Sequence, residues 1–189
     1  MRKIVFVRFY VFTFLMSFTS FALSCSAPQK EVRAYIEANP NWKMVEVCGY
    51  ESCGPKVDHL KGKDIDIRLE VFKFQEHQFF VIGMDFMGLS GTYQFDPSKI
   101  LIEVSNGKPL KPKRMSCNIP LDVNDLRLAS ALPGPFPIPI KEDDCFSLFF
   151  DHPAPPNDKE LIMNFNKALT LNGEPVGIPL IYFRKNVAE

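Results

Sequence analysis

The feature that most constrains the fold is a strict alternation of apolar and charged residues over positions 64–71. Successive side chains of an extended strand point to opposite faces, so this pattern predicts a strand with one buried and one solvated face. The apolar face carries Ile65, Ile67, Leu69 and Val71. After Val71 the apolar positions shift to Phe72 and Phe74, which predicts a bulge or a crossing to a second sheet.

A continuous apolar run over residues 79–84 predicts a central strand that is buried on both faces. Further short strand patterns follow at residues 93–95, 100–104, 145–150, 161–165, 168–171 and 178–183. Residues 93–95 and 100–104 are expected to pair as a hairpin, and Asn172-Gly173 is expected to form a turn between the last two strands. Many short strands at this spacing predict a mainly β fold, an antiparallel β-sandwich or a barrel-like domain.

One short N-terminal helix is expected over residues 29–38. Val32, Tyr35 and Ile36 recur there at helical spacing, and the pattern stops at Asn39-Pro40. This helix would stand at the start of the domain, ahead of all the predicted strands.

Residues 105–144 are poor in strand patterns and rich in proline. Proline lacks a backbone donor, so the stretch 133–140 is expected to be a polyproline-like excursion packed on the domain, with an interdomain linker as the alternative. Its prolines pre-order the chain, and Phe136, Ile138 and Ile140 form a possible binding surface. The same three side chains could instead cover a sheet edge or the end of the core.

The N-terminus has the layout of a secretory signal peptide. Three basic residues, Arg2, Lys3 and Arg8, precede an uncharged and mainly apolar run over residues 9–23. At about 1.5 Å per residue this run is shorter than the roughly 30 Å of a bilayer core. We therefore expect residues 1–24 to be the signal peptide and residues 25–189 to form a single extracytoplasmic domain. A permanent membrane helix that also includes residues 4–7 is the alternative.

The signal ends in Ala22-Leu23-Ser24-Cys25, which resembles the lipobox of bacterial lipoproteins. The resemblance is limited to these residues, and Ala22 stands where the family usually has leucine. It implies that Cys25 is the mature N-terminus and carries lipid, which anchors the protein to a membrane of the cell envelope. Ser26 at the following position resembles the pattern that directs lipoproteins to the outer membrane. Cleavage by an ordinary signal peptidase after Ser24 is the alternative.

The chain has five cysteines, and four remain for pairing if Cys25 carries lipid. Exported proteins keep disulfides, so we predict two bridges, Cys48 with Cys53 and Cys117 with Cys145. Two alternatives use Cys48 and Cys53 differently. They are a metal site that includes His59 and a redox pair, although the spacing is longer than the redox motif Cys-x-x-Cys.

Charge argues against nucleic acid as a partner. The chain has 22 basic and 22 acidic residues, and three of the basic ones precede residue 25, so the predicted domain has 19 against 22 and is net −3. One basic patch stands out, consisting of Lys108, Lys111, Lys113 and Arg114. It could contact anionic lipid headgroups or an acidic partner, or be an ordinary solvated loop.

No catalytic motif, metal-ligand spacing or cofactor fingerprint occurs, so we predict no catalytic residue, no metal and no cofactor. The function expected from the sequence is a non-catalytic binding or assembly module of the cell envelope, with an envelope protein or other envelope component as its partner. The first alternative is an exported hydrolase that assembles its acid and base from Asp64, Asp66, His77 and His152. The second is an envelope metal or redox carrier built on the cysteines.

Overall fold

A computed structural model describes residues 32–48, 56–73, 79–104, 107–116, 130–132, 134–153 and 159–185. The predicted signal peptide, Cys25, Cys53, His77 and Cys117 lie outside these ranges, as do residues 29–31 of the expected helix. The described strands are β1 (Val32–Tyr35), β2 (Lys43–Cys48), β3 (Lys56–Lys61), β4 (Asp66–Lys73), β5 (Phe80–Met87), β6 (Tyr93–Phe95), β7 (Leu101–Val104), β8 (Arg114–Ser116), β9 (Ser130–Ala131), β10 (Ile138–Ile140), β11 (Asp144–Phe150), β12 (Leu161–Asn164), β13 (Leu169–Leu171), β14 (Glu174–Pro175) and β15 (Ile181–Lys185).

These strands form three antiparallel sheets, so the mainly β prediction is confirmed. The largest is a seven-stranded sheet in the order β2-β3-β4-β5-β11-β8-β9. A second sheet, in the order β1-β15-β12-β7, contains the first and last described strands and is called the terminal sheet here. The third has the order β10-β6-β13-β14. Its two edge strands contain Pro139 and Pro175, and we call it the proline-edged sheet.

One apolar cluster contains buried residues from all three sheets. The alternating strand β4 contributes Ile67 and Leu69 to it, as its pattern predicts, and Val71 packs against its margin. The terminal sheet contributes Met163 and Phe183, among others. The two smaller sheets therefore bury their apolar faces with one face of the seven-stranded sheet, which is the main source of stability in a fold of this kind.

The expected break after Val71 is absent, because β4 stays in register with β5 as far as Lys73. Phe72 points to the other face of the sheet and lies over Gly83, where an added Cβ would approach the Phe72 ring to 3.1 Å. Together with Phe79 it covers the buried residues Val81 and Phe149. The shift of apolar positions in the sequence thus marks a second, smaller apolar cluster rather than a bulge.

The continuous run at 79–84 does form a central strand. In β5, residues 80–84 are all buried, and β5 lies between β4 and β11. The hairpin expected from residues 93–95 and 100–104 is wrong, because β6 pairs with β10 and β13 whereas β7 pairs with β12. A 3₁₀ turn over Pro97–Lys99, capped by the buried Asp96, redirects the chain from one sheet to the other.

The predicted N-terminal helix is also wrong, because residues 32–35 form β1 and pair with β15. Burial alternates along this strand, with Val32 and Ala34 inside and Tyr35 outside. The pairing with β15 satisfies the backbone groups that a helix would have bonded internally. The described residues contain no α-helix, and among them there is no helix of the length and apolarity needed to cross a membrane.

The proline-rich stretch ends in an edge strand, where a missing backbone donor is tolerated. In β10, Pro139 stands opposite Gln94, and β10 has no second neighbour in its sheet. The other edge of this sheet is the β13–β14 hairpin, whose turn residues Asn172 and Gly173 have φ values of 52° and 87°. The predicted Asn-Gly turn is present, although it leads to β14 instead of directly to the last strand.

Candidate functional site

The outer face of the terminal sheet exposes a cluster of large apolar side chains. Tyr35 stands opposite Tyr182, which stands opposite Ile162 on the other side, so the three form a row across β1, β15 and β12. Leu180 precedes β15 and continues the alternation of Tyr182. Tyr35 is 38% exposed and Leu180 is 42% exposed, and they are the two exposed large hydrophobic residues in the part of the chain that the structure describes. We call these four residues the aromatic face.

Charged side chains hold the aromatic face in place at its margin. The Tyr182 hydroxyl donates a hydrogen bond to Glu37 Oε1 at 3.3 Å, and the Arg184 guanidinium lies 5.3 Å from the Tyr182 ring centroid. Arg184 also bonds to Glu160. Desolvation by its surroundings, followed by the negative charge of Glu37, raises the pKa of Tyr182, so its hydroxyl remains a proton donor.

A groove of about 520 Å³ continues the aromatic face around the edge of β1 toward β2. Tyr35 forms part of its wall, and Ile36, Trp42 and Met44 supply most of the remaining apolar lining. A hydrogen bond fixes the Trp42 side chain, because its Nε1 donates to the Gly177 carbonyl at 2.8 Å. Gly62 leaves room for the indole, because an added Cβ there would lie 2.9 Å from the ring.

Asp58 ties β1 to the seven-stranded sheet and thereby positions Tyr35. This aspartate is 1% exposed, and its Oδ2 accepts a hydrogen bond from the Ala34 amide at 2.8 Å. Its Oδ1 lies 3.6 Å from Arg33 Nε, and the same guanidinium lies 3.2 Å from Glu46. A backbone donor on the free side of an edge strand is thus satisfied by a side chain, which closes that edge.

The predicted basic patch lies where the chain leaves the terminal sheet for the seven-stranded sheet. Leu110 pairs with Ile102 next to β7, and Lys113 donates its amide to the Phe149 carbonyl. A cavity of about 300 Å³ is lined by Pro109, Leu110, Lys111, Lys113, Asp151 and His152. Lys108, Lys111 and Lys113 are exposed, and within the described ranges none of them forms an ion pair.

Arg114 has a different environment from the three lysines beside it. Its guanidinium lies 5.5 Å from the Phe79 ring centroid and 5.3 Å from that of Phe149, and it pairs with Asp151 at 3.3 Å. Arginine stacked on aromatic rings covers apolar surface as well as carrying charge. The patch therefore consists of one packed arginine and three exposed lysines.

Three residues of the hydrolase alternative are described by the structure, and they do not lie in one cleft. Asp66 stands opposite Met87 at one end of β5, whereas His152 follows Phe150, which stands opposite Phe80 at the other end. The two ends of β5 are seven residue steps apart, or about 24 Å. Asp64 lies beside Asp66 in the β3–β4 turn, and His77 is outside the described residues. His152 donates from Nδ1 to the Pro153 carbonyl at 2.8 Å.

Asp66 has partners that the sequence pattern does not predict. His59 Nδ1 lies 2.9 Å from Asp66 Oδ1, and Lys61 lies 3.4 Å from Asp66 Oδ2. The register of β3 and β4 places His59 and Asp66 diagonally on the same face. No group of three metal-binding side chains occurs among the described residues. Only the hairpin register could have revealed the pair, and it depends on the turn at residues 62–65.

Asp85, on the same outer face of the seven-stranded sheet, has a carboxyl group that burial disfavours in its charged form. Burial raises its pKa above the ordinary 3.8, and the attraction of Arg68, 3.4 Å away, offsets this only in part. Its Oδ1 is buried and has no hydrogen-bond partner among the described residues. This carboxyl group therefore costs stability when it is ionised.

We expect Asp85→Asn to make the protein slightly more stable than the wild type at pH 7. The raised pKa of Asp85 favours folding below pH 3.8, and that contribution is lost as the pH rises through the folded-state pKa, so the variant's advantage should disappear at low pH. Urea unfolding of both proteins across this pH range measures the difference. A variant that is less stable at pH 7 would show that the pair with Arg68 outweighs the burial.

The cysteine predictions remain predictions. Cys145 lies in β11 opposite Asp85, while its expected partner Cys117 is outside the described residues. Cys48 ends β2, and neither its side chain nor Cys53 is described. The lipid at Cys25 likewise concerns a residue outside these ranges.

The binding surface predicted in the proline-rich stretch contains one partly exposed residue and two packed residues. Ile140 is 6% exposed and belongs to the core, and Ile138 packs against the same cluster from the edge strand β10. Phe136 is partly exposed in the bend before β10. Ile138 and Ile140 therefore pack against the core from the edge strand, while the role of the three residues as a binding surface stays a prediction.

No known family model matches this chain, and neither a curated protein nor a solved structure matches it. A function can therefore be inferred only from the chemistry of its own surfaces.

Proposed function

We propose that this protein is a lipid-anchored module of the cell envelope that binds another envelope protein through its aromatic face and performs no catalysis. Export by the signal peptide and lipid on Cys25 would hold it at the membrane, facing the periplasm from the outer membrane. The two predicted disulfides would stabilise the domain there. Its seven-stranded sheet, facing the two smaller sheets across one core, would act as a rigid scaffold of the β-sandwich type.

The observation that carries the proposal is the exposure of Tyr35 and Leu180 on the same face of the terminal sheet. Contacts between proteins are enriched in tyrosine, tryptophan and arginine, which lose little entropy on binding when they are already ordered. The bond from Tyr182 to Glu37 and the stacking of Arg184 provide such ordering. The adjoining groove, with Trp42 in its wall, gives a partner an apolar recess beside the exposed rings.

The binding role can be tested by the size of the complex that the native protein forms in detergent extracts of membranes. Tyr35→Ser combined with Leu180→Ser is expected to dissociate the complex, because loss of a central anchor residue weakens binding roughly 30-fold or more. The matched control is Lys141→Ser combined with Glu174→Ser, two exposed residues away from the aromatic face. Native gels and sedimentation measure both.

A complex that survives the double variant, or that the control disrupts equally, would contradict the proposal. A complex of two copies of this chain would assign the aromatic face to self-association instead. In each case the double variant must unfold at the same temperature as the wild type, which is expected because both substituted side chains are exposed.

A further inference from the structure

The terminal sheet places the start of β1 at the end where the chain leaves β7 for the basic patch. β1 is antiparallel to β15, β15 to β12, and β12 to β7. Three reversals make β1 antiparallel to β7, so the first residue of β1 lies at the end where β7 stops. Val32 stands opposite Lys185 at that end. The chain that leaves β7 there passes Lys108, turns back so that Leu110 pairs with Ile102, and then passes Lys111 and Lys113 on its way to the seven-stranded sheet. We call these three lysines the basic end.

The charge at this end is not balanced by nearby acids in the described residues. Two carboxylates there have cationic partners, Asp151 in Arg114 and Glu160 in Arg184, and the exposed Glu103 of β7 is one further acid among several lysines. Lys159, which precedes β12 at the same end, is also exposed. The opposite end of the seven-stranded sheet has lysines too, but acids such as Asp66 and Glu142 are interspersed with them. Among the described residues this end therefore carries an excess of positive charge, whereas the chain as a whole has 22 basic and 22 acidic residues.

The proposed lipid anchor lies close to this end. Six residues separate Cys25 from Val32, and a chain of that length spans at most about 25 Å even when fully extended. Lipid on Cys25 would hold Val32 within that distance of the bilayer surface. The basic end would then face the headgroups, where each lysine near an anionic surface gains attraction that falls off over a Debye length of about 10 Å.

We propose that the basic end is a membrane-docking surface that binds anionic phospholipid headgroups and fixes the orientation of the domain on the bilayer. The inference rests on the lipid anchor in the proposed function and adds a second, electrostatic contact to it. With the basic end on the headgroups, the axis of the terminal-sheet strands points away from the bilayer. The aromatic face then stands sideways, open to a partner in the same membrane.

The test uses the protein with its native N-terminus, added to the outside of vesicles of phosphatidylcholine alone or of phosphatidylcholine with phosphatidylglycerol. A membrane-impermeant amine reagent labels the lysines, and mass spectrometry gives the labelling rate at each position. On anionic vesicles the rates at Lys108, Lys111 and Lys113 should fall about fivefold or more, the factor that corresponds to the attraction of one lysine to such a surface. Raising the salt to 1 M, where the Debye length is about 3 Å, should restore them.

The same molecule supplies the control. Lys43, Lys63 and Lys141 are exposed at the far end of the seven-stranded sheet, and their labelling should be the same on both kinds of vesicle. Equal labelling of the basic end on both kinds of vesicle would overturn the inference, and so would equal protection of the control lysines. Protection on neutral vesicles after addition of inorganic phosphate would show a site for soluble anions instead.

Association with neutral vesicles tests the lipid anchor separately from the basic end. A protein without lipid would not associate with neutral vesicles, which counts against the anchor, while protection on anionic vesicles still reports the basic end. Cys25→Ser provides this state deliberately. Conversely, firm association with both kinds of vesicle without selective protection would leave the anchor intact and refute the docking surface.

Discussion

Phe86→Ala is expected to lower the free energy of unfolding by about 3–5 kcal/mol, the usual cost of deleting a fully buried phenylalanine. Phe86 is 0% exposed, and its ring centroid lies 5.3 Å from that of Phe95 and 5.8 Å from that of Phe146. Phe95 and Phe146 are themselves 5.4 Å apart, so three rings join the seven-stranded sheet to the proline-edged sheet. For a domain of this size the melting temperature should fall by roughly 6–20 °C.

Phe72→Ala is the matched control for this result. Phe72 is only partly buried and lies on the opposite face of the same sheet, so its removal should cost about 1 kcal/mol. Urea unfolding, followed by the fluorescence of Trp42, the one tryptophan of the chain, measures both variants. Equal losses from the two variants would mean that the core does not lie between the sheets as described.

Asp58→Ala should cost about 2–3 kcal/mol, because the Ala34 amide loses a charge-assisted hydrogen bond and remains buried. Arg33 also loses a carboxylate at 3.6 Å, but it keeps Glu46 at 3.2 Å, so the loss of this ion pair should add less than the loss of the hydrogen bond. Asp58→Asn keeps an oxygen acceptor for the amide and should cost about 1 kcal/mol. The effect should be local as well, with faster hydrogen exchange at β1 than elsewhere.

Equal destabilisation by the alanine and asparagine variants would show that the charge of Asp58, and not its bond to β1, matters. The alanine variant also bears on function, because Tyr35 follows Ala34 in β1. A loosened β1 should weaken the complex formed by the aromatic face even though no residue of that face has changed.

The hydrophobic patterns of the sequence predicted the strands whose burial can be judged from adjacent residues. Alternation at 64–71 identified β4, and the continuous apolar run identified β5. A strand with one buried face alternates apolar and polar residues, and a strand buried on both faces is apolar throughout. The prediction of an N-terminal helix was wrong because Val32, Tyr35 and Ile36 fit a helical period. The buried Ala34 is small, so the alternation of β1 was not apparent in the sequence. Pairing with β15, about 150 residues away, decided between the two.

Local sequence patterns could not predict which strands pair with each other. β6 and β7 are neighbours in sequence but belong to different sheets, since the 3₁₀ turn between them redirects the chain. The aromatic face has the same origin, because β15 brings Tyr182 beside Tyr35 from the far end of the sequence. Surfaces assembled from distant strands require the topology, whereas the basic patch, which is contiguous in sequence, could be seen beforehand.

Photo-cross-linking in intact cells tests the central claim most directly. A photoreactive amino acid at position 180 would report what contacts the aromatic face, and the same amino acid at position 174, an exposed glutamate in β14, serves as the control. We predict one discrete adduct with another envelope protein from position 180, and none from position 174. No adduct at position 180, or the same adducts from both positions, would contradict the proposal that this face is a binding surface.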